Sequence, residues 1–291
     1  MTISRFEVFT TVVDLGSFTK AAKKLNMTQP AVSHAVSSLE SEWGVSLLIR
    51  DKKKGLRLTE IGQKTVIHMR EIVSRIEKIN QEIAFASNIE KGTVRLGIFY
   101  SASACLLPKI LAQFQRKYPN IEFVLFEGTY EEIIDWLESG VVDVGFIIET
   151  NEATAYETLP LVKDDIVVAF SERHFLNKYE SVTIKDIANE PFIMPKGMYA
   201  PYIFEIFKDA HAEPNICFEV QDCTTIANLV KEGLGITIGS KLFLKTHSQL
   251  KYKDLAVKNV RDISLAFNSS KTSPAVQAFL KEARRVYDKE Q

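Results

Sequence analysis

The sequence predicts an α/β protein preceded by a small helical module and one long connecting helix. Three observations carry that reading. Residues 1–88 hold 13 Lys/Arg against 9 Asp/Glu and the rest 23 against 28, so a chain of net charge −1 has a basic front and an acidic rear. From Thr59 to Ala86, residues Thr65, Met69, Ile72, Ile76, Ile79, Ile83 and Ala86 follow steps of four and three, a narrow apolar seam of coiled-coil type. From Thr93 onward, short β-rich runs alternate with helical patterns, which implies parallel sheets covered on both faces.

Composition narrows the class. With 46% hydrophobic and 25% charged residues over 291 positions, the chain has the make-up of two or three folded units rather than of a disordered polymer. Its near-neutral balance provides no global positive field, so any nucleic-acid site must be local. Cys105, Cys217 and Cys223 are odd in number and lack C-x-x-C spacing, which argues against a disulfide framework or a thiolate metal site. No apolar run approaches the ~18 residues a membrane span needs, and the first residues carry Glu7 without a cleavage site, so a cytoplasmic protein with no membrane partner is expected.

In chain order, Ser17 after Gly16 reads as the N-cap of a short helix with Phe18, Ala21, Ala22 and Leu25 on its apolar face. Asn26-Met27-Thr28 interrupts it. Thr28 then caps a second helix with Pro30 in its first turn, packed through Ala31, Val32, Ala35, Val36 and Leu39. Two helices joined by about three residues form a helix-turn-helix. The second helix presents Thr28, Gln29, Ser33, His34 and Ser37, short hydrogen-bonding side chains suited to base edges in a major groove. Next, Leu47 to Thr59 reads as strand, turn, strand, with Arg50, Lys52, Lys53, Lys54 and Arg57 supplying five cations in eight residues, a wing for the phosphate backbone. The heptad seam of the following helix is stable in water only against a partner helix, so it predicts dimerisation.

The N-terminal pattern Ser17-Phe18-Thr19-x-Ala21-Ala22-x-x-Leu25-Asn26-x-Thr28-Gln29-Pro30-Ala31-Val32-Ser33, followed by Leu39-Glu40, Gly44, Leu47-Leu48, Arg50 and Leu58-Thr59-x-x-Gly62, resembles the signature of the LysR-type transcriptional regulators. The resemblance implies a winged helix-turn-helix, a dimerising linker helix, and two Rossmann-like α/β subdomains resembling type 2 periplasmic binding proteins. It further implies a homodimer or homotetramer that binds double-stranded promoter DNA, responds to a small-molecule effector and acts on RNA polymerase. By motif position Gln29, Pro30, Ser33 and His34 would face the groove, with Arg50 and the wing lysines on phosphates. His34 stands where the family most often has arginine, which weakens phosphate or guanine contact near neutral pH. The expected divisions are 1–58 for the DNA-binding domain, 59–88 for the linker helix and 92–291 for the effector-binding domain, with subdomain I at 92–161 and 266–291 and subdomain II at 162–265.

In that rear part, strands are predicted at Thr93–Ile98, Ile121–Glu127, Val144–Ile148, Ile166–Phe170, Phe192–Met194, Cys217–Val220 and Ile236–Ile238, with a final helix, Pro274–Tyr287, returning to the first unit. Ligands in open parallel sheets bind beyond strand C-terminal ends. That rule nominates Ser101, Ser103, Thr129, Thr150, Met194, Lys196 and Thr224, with Tyr199 and Tyr202 closing the pocket or simply packing. The resemblance independently assigns effector contact to Ser101, seven residues before Pro108. Hydroxyls near helix starts suggest a compact carboxylate or amino-acid-like effector and no cofactor.

No catalytic set is apparent. His34, His68, His174, His211 and His247 show no metal-binding spacing, no G-x-S-x-G elbow is present, and Gly233 to Gly239 flank a strand rather than open a nucleotide loop. Acidic neighbours such as Asp164-Asp165 and Glu131-Glu132 read as solvated surface. An enzyme or solute-binding protein with an accessory N-terminal module is the competing reading.

Overall fold

The computed structural model describes residues 2–51, 55–86, 91–149, 156–197 and 199–288. Helix α1 (Thr2–Leu15) buries Phe6, Val8, Phe9 and Val12 against α2 (Phe18–Lys24) and α3 (Gln29–Trp43). Ser17 and Thr28 cap these two helices by accepting the N–H groups of Lys20 and Ala31. Gly44 closes α3 in the left-handed region at φ 67°, where a side chain would be strained. Strands β1 (Leu48–Asp51) and β2 (Gly55–Leu58) form the antiparallel wing, Leu48 opposite Leu58. Glu40 of α3 holds it in place, its carboxylate accepting the N–H groups of Leu47 at 2.7 Å and Leu48 at 3.1 Å.

Helix α4 (Glu60–Ala86) begins where Thr59 Oγ1 accepts the Gly62 N–H at 3.0 Å. A Cβ on Gly62 would collide with the Leu47 carbonyl oxygen, which already accepts the Thr59 N–H. Gly62→Ala is therefore expected to destabilise by about 1–3 kcal/mol through overpacking, although alanine in a free helix gains about 1 kcal/mol over glycine. Chemical denaturation measures the difference; a raised midpoint would mean that the wing yields. Further along α4, Met69 is buried in the front module while Ile72, Ile79 and Ile83 lie exposed, the last two at 55% and 62%.

Beyond the helix come β3 (Lys91–Ile98), α5 (Tyr100–Cys105), α6 (Leu107–Lys117), β4 (Asn120–Glu127), α7 (Tyr130–Glu138) and β5 (Val144–Ile148), with the three strands parallel in the order β4-β3-β5. Strand β6 (Glu157–Ser171) runs from this first subdomain into the second. There follow β7 (Ser181–Val182), α8 (Ile184–Ile187), β8 (Pro191–Pro195), α9 (Tyr199–Asp209), β9 (Asn215–Val220), α10 (Cys223–Lys231), β10 (Thr237–Ser240), α11 (Lys241–Leu244) and β11 (Leu250–Leu255). Strand β12 (Val260–Phe267) returns to the first subdomain, and α12 (Pro274–Tyr287) covers its core, where Phe279 packs on Phe114 and Phe123.

The sheets are mixed rather than purely parallel. Strand β12 runs antiparallel to both β5 and β6, and β10 and β11 run antiparallel to β6. A chain that leaves through one strand and comes back beside it must reverse direction. The two crossings, at Asp165–Ile166 and Asn259–Val260, are bonded to each other: Ile166 N–H donates to Asn259 O at 2.9 Å, and Val260 pairs with Asp165. Asp164 departs from the solvated-surface expectation. It is 3% exposed, its carboxylate accepts the Leu242 N–H at 3.0 Å, and burial pushes its carboxyl above the usual range. Among the described residues no helix is long and apolar enough to cross a membrane.

Candidate nucleic-acid interface and effector cleft

Helix α3 is divided lengthwise by its sequence. Val32, Val36 and Leu39 are buried, while Thr28, Gln29, Pro30, His34 and Ser37 are exposed and Ser33 is half-buried. The polar residues therefore share the solvent side of a helix whose other side is anchored, the arrangement a groove-reading helix requires. Arg50 lies in β1 of the wing; Lys52, Lys53 and Lys54 lie outside the described residues.

Between the two rear subdomains lies a cleft of about 420 Å³, lined by Ser101, Thr129, Lys196, Tyr199, Asp222 and Thr237 among others. It opens beyond the C-terminal ends of β3, β4, β8 and β9, as the strand-end rule requires. Ser101 and Thr129 contribute from the first subdomain and Lys196 from the second. Thr129 Oγ1 also caps α7 by accepting the Glu132 N–H. Thr224 stands at the cleft margin, its hydroxyl 2.6 Å from the Tyr100 hydroxyl, so that one hydrogen bond spans the two subdomains. Thr150 lies outside the described residues.

Two nominated residues lie elsewhere. Ser103, two positions along α5 from Ser101, is rotated off the cavity wall by the helix and donates to Tyr100 O at 2.8 Å. Met194 is 2% exposed in the second subdomain's core, because strand alternation turns it away from the cleft. Sequence reasoning also missed Tyr100, Tyr130, Phe243 and Gly239, which line the cavity. For the aromatic residues the only available signal was adjacency to the nominated strand ends.

Tyr199 is a packed wall as well as a lining group. Burial pushes its phenol up to about 12, so it keeps its proton and remains a hydrogen-bond donor. Behind it, the Arg261 guanidinium lies 4.4 Å from the Tyr199 ring and 4.1 Å from the Tyr202 ring. Tyr202 in turn donates to Asn259 at one of the crossings, at 3.0 Å. The cleft wall and the hinge are thus one packed unit.

Among the described residues, several polar contacts join the sensor to the front of the molecule, three of them through ion-paired side chains. Arg70 of α4 pairs with Asp14 of α1 at 2.5 Å and reaches the Ser139 carbonyl at 3.5 Å. Lys271 pairs with Glu71 of α4. Arg95 of β3 grips both oxygens of Glu77 in α4, at 3.0 and 2.8 Å, and its N–H donates to Asp143. A rotation of the first subdomain is therefore felt directly by the linker helix.

Comparison with known proteins agrees with this layout. Residues 3–63 match the model for the bacterial regulatory helix-turn-helix protein, lysR family, and residues 87–288 match the LysR substrate binding domain. The chain is 37% identical to the uncharacterized HTH-type transcriptional regulator YvbU of Bacillus subtilis over 294 residues, covering all of both chains. A full-length OxyR variant from Pseudomonas aeruginosa superposes with a TM-score of 0.79 at 20% identity, covering 99% of this chain and 97% of that one. Full-length CbnR complexed with its target DNA superposes with a TM-score of 0.67 at 23% identity, covering 98% of this chain and 100% of that one. With both halves matched along nearly their full length, the chain belongs to the LysR family of transcriptional regulators, DNA-binding proteins controlled by small-molecule effectors rather than enzymes.

Proposed function

We propose that two copies pair along the Ile72, Ile76, Ile79 and Ile83 seam of α4 and present their α3 helices to successive major grooves of an operator with partial dyad symmetry. Thr28, Gln29, Pro30, Ser33, His34 and Ser37 face the groove and its base edges, while Arg50 and the wing lysines hold phosphates. The observation that carries this reading is the polar, exposed face of α3 opposite its buried Val32, Val36 and Leu39. The fold shared with DNA-bound CbnR supports it. An effector in the interdomain cleft contacts Ser101, Thr129, Lys196, Thr224 and Thr150, and its preference for one degree of closure shifts the geometry of the dimer or tetramer, and with it DNA bending and contact with RNA polymerase.

The test is quantitative binding to DNA upstream of the protein's own gene, titrated against salt. The wild type binds specifically with an affinity that falls as salt rises, and Ser33→Ala/His34→Ala, on the outer side of an intact helix, loses about 10²-fold in specific binding while keeping most of its non-specific affinity. Equal loss on random DNA would mean that these side chains do not read sequence.

A further inference from the structure

The charge in the cleft is mostly negative. Glu127, Glu132 and Asp222 face the cavity; among its described lining residues Lys196 is the one cation, and its Nζ lies 3.9 Å from the Glu219 carboxylate. At two of the helices that begin there, α7 and α10, acidic side chains already stand at the N-terminal turn and accept backbone amides. Thr129 and Glu132 form a reciprocal capping box on α7, and the Asp222 carboxylate accepts the Thr225 N–H of α10 at 2.7 Å, hydrogen bonds that hold its carboxyl below the usual range. Glu127, at the end of β4, has no ion pair or side-chain hydrogen bond with any described residue.

Around these carboxylates stand aromatic rings. Phe99, Tyr100, Tyr130 and Phe243 line the same cavity, Tyr100 and Phe243 meeting edge to face with centroids 5.5 Å apart. Tyr199 already has a cation on its ring in Arg261, which is not part of the cavity lining and sits opposite Asp164 in the β6–β12 pairing. Ring faces carry negative quadrupole density, and with ionised carboxylates at their edge they hold organic cations and repel carboxylates.

We infer that the effector of this cleft carries a cationic nitrogen, an amine, quaternary ammonium or guanidinium, seated against Glu127 and the rings of Tyr100 and Phe243. The inference rests on the cleft being the effector site, as proposed above. It retains the amino-acid-like class expected from the sequence and removes the simple carboxylate.

The experiment is a thermal-shift titration of the full-length protein at constant ionic strength. Choline, putrescine and arginine chlorides serve as cationic probes, and sodium benzoate, succinate and citrate as anionic ones. Two variants accompany the wild type. Glu127→Gln/Glu132→Gln/Asp222→Asn removes three charges while keeping both helix caps, because glutamine at N3 and asparagine at the N-cap serve as well as the acids. Gly239→Phe fills the cavity, since a Cβ at Gly239 meets no atom within 4 Å. The expected result is a concentration-dependent rise in Tm with at least one cation, weakened about tenfold by the triple variant and abolished by Gly239→Phe. Stabilisation by no cationic probe overturns the inference, as does a cation whose binding the triple variant leaves unchanged. Stabilisation by an anion alone, lost in Gly239→Phe, overturns it while leaving the cleft as effector site; a cation effect that survives Gly239→Phe overturns the inference and the cleft reading together.

Discussion

Aspartate at both Ile79 and Ile83 is expected to leave a folded monomer whose operator affinity is about 10²- to 10⁴-fold below wild type, the range lost when two linked binding units become independent. The two side chains are 55% and 62% exposed in the single chain, so their replacement removes nothing from its own core. Their spacing of four places both on the seam, where paired helices would bury them against each other and where a buried carboxylate pair is strongly unfavourable. Light scattering after size exclusion reads the mass, circular dichroism the fold, and anisotropy on full and half operators the affinity. A dimer with unchanged affinity would place the interface elsewhere.

Arg95→Met is expected to destabilise the chain by about 1–2 kcal/mol, because removing the cation from a half-buried charge network strands its acidic members. Arg95 grips Glu77 with two hydrogen bonds and lies 3.8 Å from Asp143. Burial already raises the Asp143 carboxyl above its ordinary value near 3.8, with the guanidinium pulling it back down. A carboxyl raised in the folded state binds its proton more tightly folded than unfolded, so its contribution to stability is present at low pH and is lost as pH rises through the window above 3.8. Without Arg95 that window extends upward. The deficit of the variant is therefore largest at neutral pH and shrinks on acidification, which urea unfolding of both proteins at two pH values measures. An equal deficit at both would exclude Asp143 as the stranded group.

The front module and the helix seam were legible because caps, breakers and periodicity agreed residue by residue from Ser17 to Ala86. Helix α1 was not, because Phe6, Val8, Phe9 and Val12, with Thr10 and Thr11, bury several sides of the helix and leave no single stripe to read. Strand β6 was seen only at its apolar end. Pro160 and Lys163-Asp164-Asp165 look like a turn in sequence, yet they pair along β12 with a register shift between Ile263 and Ser264, opposite Val162 and Pro160, where proline has no N–H to give. In the cleft, strand ends pointed to Ser101, Thr129 and Lys196, and so to the neighbourhood of Tyr100 and Tyr130 without selecting them, whereas Phe243 came from packing between segments far apart in the chain, which no local pattern encodes.

The paired crossings also limit what the sensor can report. Two strands hydrogen-bonded to each other at Asp165–Ile166 and Asn259–Val260 would resist sliding past one another, so opening of the cleft is the motion such a joint admits most readily. On such a joint a ligand's shape would reach the linker helix chiefly as an angle. Molecules of different chemistry that set the same angle should be indistinguishable to the promoter, whereas those that stop short of it should act as graded partial effectors.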